Sequence, residues 1–194
     1  MGSIVHGTLE KLYKDLGYCR KNSLEEILAY YDEKWDAGFT DDVLIAEKGY
    51  TEQNYKDTGR KLVSDYYKEH DPFDQMTILG LETQNTLDLG NGRTYDVRID
   101  KLACVGSTYY VCDYKTNKEL ITQEKADSDR QLAMYSKWVR EKFADAERVV
   151  LVWHMLRFGK DVTSVRTDAQ IQALVDQTVA TMEEIEGCNE WPAK

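Results

Sequence analysis

The sequence predicts an α/β fold: a central mixed β-sheet flanked by helices, with a mainly helical N-terminal segment. Three observations predict it. Apolar residues recur at helical spacing through much of residues 1–75. Three alternating strand patterns joined by turn signals follow, which is a meander. A helix then leads into a nearly continuous apolar run, Val149 to Leu156, which reads as a strand buried on both faces. The 194 residues suit one domain with a sizeable core, divided into the helical segment 1–75 and a sheet-containing segment 76–194.

The elements follow in order. Val5, Leu9, Leu12 and Leu16 recur at spacings of four, three and four, which predicts a helix ending near Gly17. Ser23-x-x-Glu26 is a capping box opening a second helix over Leu24 to Trp35. A third helix covers Tyr50 to His70 and stops before Pro72. Ile78 to Leu89 reads as a strand, and Asn91-Gly92 is a hairpin turn. Tyr95, Val97 and Ile99 alternate with Asp96, Arg98 and Asp100, and Gly106-Ser107 turns the chain into a strand over Tyr109 to Lys115. Asp127 to Phe143 is predicted as one helix, with Leu132, Tyr135 and Val139 on one face. After the buried strand, Gly159-Lys160 turns into a strand over Val162 to Arg166, and Thr167-x-x-Gln170 caps a last helix through Ile185.

No apolar run approaches the ~20 residues of a membrane span, and the N-terminus lacks the apolar core of a signal peptide, so a cytoplasmic protein with no membrane contact is expected. Cys19, Cys104, Cys112 and Cys188 are scattered without CxxC spacing, which indicates neither a zinc site nor a disulfide framework. The net charge of −10 argues mildly against nucleic acid, because phosphate binders usually carry a basic field. Local patches outweigh totals, and acidic residues also supply metal ligands.

The chemistry is carried by Cys112-Asp113-Tyr114-Lys115-Thr116 and by Arg98-Ile99-Asp100-Lys101 one hairpin upstream. Side chains alternate along a strand, so Asp113 and Lys115 point one way and Tyr114 the other. Asp100 joins them if the hairpin register sets it beside Asp113. Two carboxylates and a lysine on adjacent strands can form a magnesium-dependent site for phosphodiester cleavage. The plainer alternatives are an edge-strand ion pair for Asp113 and Lys115, and a salt bridge from Asp100 to Arg98 or Lys101.

Four pieces occur in order: His6 in Val5-His6-Gly7-Thr8-Leu9-Glu10, Asp100 in Arg98-Ile99-Asp100, Asp113-Tyr114-Lys115-Thr116, and Gln131-Leu132-Ala133-Met134-Tyr135. Together they resemble the PD-(D/E)XK nuclease superfamily, specifically its RecB-like exonuclease branch. Val97 and Asn117 stand where that family usually has glycine, and neither is a proposed ligand. The resemblance implies a restriction-endonuclease-like core and a metal-dependent DNA nuclease, an exonuclease, with Asp100, Asp113 and Lys115 as catalytic residues. It also implies Mg2+ or Mn2+ held by Asp100, Asp113, the Tyr114 carbonyl and His6, whose imidazole suits manganese better than magnesium. Gln131 and Tyr135, one helical turn apart, would help hold DNA, though Tyr135 can equally be a core aromatic. Glu82 resembles a recurrent supporting glutamate of the family, and Glu10 reads as a solvated neighbour of His6. DNA as single strands or duplex ends would be the substrate, with a helicase or a recombination or CRISPR protein as partner. Some relatives hold an iron–sulfur cluster on one cysteine before the first helix and three near the C-terminus. Cys188 alone cannot hold one, so a cluster is not supported by this chain: either the protein has none, or residues beyond this stretch carry it. The alternative function is a non-catalytic nucleic-acid-binding or interaction module of a repair or defence complex on the same fold.

Overall fold

The computed structural model describes residues 1–40 and 42–188, so the last part of the expected segment 76–194 lies outside the described residues. Helices α1 (Gly2–Gly17), α2 (Leu24–Gly38) and α3 (Glu52–His70) come first. Strands β1 (Thr77–Gly90), β2 (Arg93–Val105) and β3 (Thr108–Lys115) form the meander. Helices α4 (Gln123–Ser128) and α5 (Arg130–Lys142) lead to β4 (Arg148–Met155), and β5 (Lys160–Val165) and α6 (Asp168–Gly187) complete the order. The five strands lie in sequence order, antiparallel except for the parallel β3–β4 pair. Parallel neighbours need a crossover connection, and α4 and α5 provide it. The result is the mixed α/β sheet that the sequence predicts.

Both faces of the sheet are covered. Ile99, Val111, Leu151 and Trp153 pack with Leu132 and Val139 of α5 and Val175 of α6 in one core. Val5, Leu9 and Leu12 of α1, Tyr31 and Trp35 of α2, and Val63 and Tyr66 of α3 form a second core around Tyr114. Alternation along β3 and β4 sends neighbouring side chains to these opposite sides.

Two boundaries depart from expectation for identifiable reasons. The capping box at Thr51, whose side chain accepts from the Asn54 N–H while Asn54 reaches back, starts α3 two residues later than Tyr50. The helix expected over Asp127 to Phe143 is instead two helices, α4 and α5, parted at Asp129. Asp129 adopts extended geometry, and its Oδ1 accepts the Leu132 N–H at 2.8 Å as the cap of α5. The buried Arg166 guanidinium donates to the carbonyls of Ala126 (2.6 Å) and Asp129 (3.2 Å), satisfying backbone oxygens at the break.

Lys101 is 3% exposed and lies in a cage of tyrosines. Its Nζ donates to Tyr66 Oη at 2.9 Å and Tyr13 Oη at 3.4 Å, and sits 4.7 Å from the Tyr13 ring centre. His154 is buried beside this cage and bonds through Nδ1 to Asp161 Oδ1 at 2.6 Å.

Candidate metal centre

The β2–β3 ladder runs from Val105↔Thr108 to Lys101↔Cys112 and ends there. Asp100 and Asp113 are the next positions on each strand. Strand β3 continues beside β4 through Lys115↔Met155, so β2 and β3 part at the two aspartates. The opened backbone is not left unpaired: the Tyr114 N–H donates to Asp100 Oδ2 at 2.9 Å. That bond ties the Asp100 carboxylate to the residue beside Asp113. The strand β3 is therefore internal, not an edge, and the Asp113 side chain is 16% exposed.

The β1–β2 register brings in a further carboxylate. Leu81↔Lys101 and Thr83↔Ile99 are paired, which sets Glu82 opposite Asp100. Glu82 has φ of 44°, a left-handed conformation uncommon for a side chain other than glycine. Such outliers cost of the order of 1–3 kcal/mol and persist where their surroundings determine them. Here, ladder pairs on both sides hold the strand. Carried on unchanged, a Gly90↔Arg93 hairpin would set Thr83 against Asp100 instead. The irregularity between Asp88 and Gly90 moves the register by one residue. The resemblance gives Glu82 a supporting role, and this register sets it directly opposite Asp100.

From α1, His6 Nδ1 reaches to 3.3 Å from Asp100 Oδ2, and its ring meets the Tyr114 ring edge-on at 5.7 Å. Ligand atoms of His6, Glu82 and Asp100 all lie within 4.8 Å of one another. They line a cleft of about 480 Å³ together with Ser3, Gly7 and Glu10. Arg98 donates to Glu82 Oε2 at 3.1 Å and 3.3 Å, so it does not pair with Asp100. Nor does Lys101, whose ammonium sits in the tyrosine cage. The salt bridge weighed for Asp100 is thus made by neither cation.

Asp113 is not one of that three-residue group, but it is electrostatically coupled to it. Burial pushes its carboxyl above the ordinary value, against the Lys115 and His6 charges. Burial likewise pushes Asp100 up, against the Tyr114 N–H and His6, while the Asp113 charge adds to the rise. Lys115 Nζ approaches Asp113 Oδ2 at 2.7 Å, yet this buried oxygen has no hydrogen-bond partner of acceptable geometry among the described residues. Buried carboxylates favour a nearby cation, and Lys115 supplies one for Asp113. Oxygen donors from Asp100, Asp113 and Glu82, with one imidazole, are chemically fit for a hard divalent ion such as magnesium or manganese.

The remaining expected residues, Gln131 and Tyr135, lie on α5. Gln131 Nε2 donates to Tyr135 Oη at 2.8 Å, and Tyr135 is 5% exposed in the α5-side core. Each of these two polar groups therefore has a partner within α5. The start of α5 is close enough for the Asp129 charge to act on Asp113.

A family model described as the PD-(D/E)XK nuclease superfamily matches residues 1–193. A comparison with curated proteins gives no match.

Proposed function

The chain belongs to the PD-(D/E)XK nuclease superfamily, and on that premise we propose that it is a Mg2+- or Mn2+-dependent deoxyribonuclease, an exonuclease of the RecB-like branch. The observation that carries this reading is the pair of buried carboxylates at the strand fork, with the Lys115 ammonium 2.7 Å from Asp113 Oδ2. In this reading Asp100, Asp113 and the Tyr114 carbonyl hold the metal and His6 adds a nitrogen ligand. Glu82 joins them on the strength of its proximity to His6 and Asp100. A divalent ion there would polarise the phosphate and acidify a water. Lys115, held against Asp113, orients that water or meets the charge that develops on the phosphate. The Tyr114 N–H fixes the orientation of the Asp100 carboxylate. Gln131, exposed on α5 with its amide bonded to the buried Tyr135 hydroxyl, would contact the DNA strand from that side. We take the chain as one nuclease domain acting on DNA strands or ends.

The test is cleavage of end-labelled single- and double-stranded DNA with magnesium, manganese or EDTA, run beside Asp113→Ala. The expected outcome is metal-dependent digestion from an end, reduced by about 10²–10³-fold or more in the variant. Wild-type chain that binds metal and DNA without cutting would support the non-catalytic module instead.

A further inference from the structure

The cleft at His6 and Asp100 has a hollow on either side, one between α1 and the edge strand β1 and one over β1 and β2. It shares Glu10 with a hollow of about 330 Å³ toward the end of α1, which Lys14, Tyr18 and Leu79 help to line. It shares Arg98 with a hollow of about 410 Å³ in the other direction, which Gln84, Asn85 and Thr86 help to line.

The two ends differ in chemistry. Tyr18 is 78% exposed, and Leu79 faces the same hollow at 40% exposure. Leu79 is the residue left out of register where β1 bulges between Ile78↔Ala103 and Gly80↔Leu102. Lys14 is exposed, stands four residues before Tyr18, and has no ion-pair partner among the described residues. An aromatic face, an apolar wall and an unpaired cation match a base and its phosphate. The opposite hollow offers amides, a hydroxyl, the Asp96 carboxylate and the Arg98 guanidinium, and no aromatic ring.

We propose that an unpaired nucleic-acid strand lies along the cleft and these hollows, with Tyr18 stacking one base on one side only of the bond that is cut. The proposal rests on the nuclease reading for the position of the cut, but not for the stacking. A base within a duplex has both faces covered by its neighbours, so a lone exposed ring selects unpaired substrate. Continuity with the proposed metal cleft and the charge of Lys14 fix the occupant as a polyanion rather than an apolar segment.

Two readouts test this, using the full chain, Tyr18→Ala and Tyr18→Phe. One is kcat/KM on end-labelled single-stranded oligonucleotides carrying a single abasic site, moved stepwise along the strand. The other is fluorescence anisotropy of the same strands with calcium in place of magnesium. Stacking of one base predicts a loss of about 5- to 150-fold in Tyr18→Ala, largely in KM, and little loss in Tyr18→Phe. An abasic site at one position on one side of the cut should weaken the wild type and Tyr18→Phe, and leave Tyr18→Ala unaffected. Equal abasic penalties in all three proteins, or unchanged binding by Tyr18→Ala, would overturn the platform. Cleavage with Tyr18-independent binding sinks the track and keeps the nuclease. Tyr18-dependent binding without any cleavage does the reverse.

Discussion

Asp100 and Asp113 sit at the strand fork with side chains 14% and 16% exposed. Burial raises both carboxyls above their ordinary range, which means that the fold disfavours their charged forms. For such a group the native state binds more protons than the unfolded one over the window above the ordinary carboxylate value of about 3.9. The stability it contributes is present below that value and is lost as pH rises through the higher native pKa. Asp113→Asn removes the ionisation while keeping the shape. In EDTA it should match the wild type near pH 4 and melt about 2–4 °C higher at neutral pH, a shift that corresponds to roughly 1 kcal/mol at this chain length. Metal should raise the melting temperature of the wild type and not that of the variant. Thermal denaturation at the two pH values, with and without magnesium, checks both statements.

At the scale of elements, the strand β2 serves two sites of opposite character. Asp100 faces the proposed metal cleft, while the next residue, Lys101, enters the cage of Tyr13 and Tyr66 beneath the helices. A buried ammonium without a carboxylate partner contributes little to stability, and an apolar side chain of similar volume often substitutes without loss. Lys101→Met should therefore melt at or above the wild-type temperature, because the Tyr13–Tyr66 hydroxyl contact at 2.7 Å still satisfies both hydroxyls. Tyr66→Phe should cost about 1–3 kcal/mol, because it leaves the buried ammonium without its 2.9 Å acceptor. Urea denaturation of the two variants separates these outcomes, and equal destabilisation would contradict the account of the cage.

Across the whole molecule, the net charge of −10 sets how nucleic acid can approach. With that charge, the proposed binding would rest on divalent cations and on a few local groups such as Lys14, Arg98 and Lys115. Two or three phosphate contacts imply a slope of log K against log salt of roughly −1.5 to −2 for a single strand. A titration over sodium chloride at fixed calcium should show this shallow dependence, and a slope several times steeper would point to a basic surface elsewhere. No helix among the described residues is long and apolar enough to cross a membrane.

Local signals carried most of the elements. The capping boxes at Ser23 and Thr167, the Asn91-Gly92 turn and the apolar run of β4 all fall where the backbone chemistry of those residues requires. The motif order likewise pointed to the superfamily, whose family model matches residues 1–193. What the sequence could not decide was non-local. The break at Asp129 is held by Arg166, thirty-seven positions away, and side-chain periodicity alone cannot register so distant a partner. The place of Glu82 depends on a bulge and a left-handed residue inside β1, each a one-residue offset with no compositional mark. The groove from the proposed metal cleft to Tyr18 exists only because α1 packs beside the edge strand, and that packing follows from the shared core around Tyr114. Propensity and periodicity are properties of neighbours in sequence, whereas a site is made where distant segments meet.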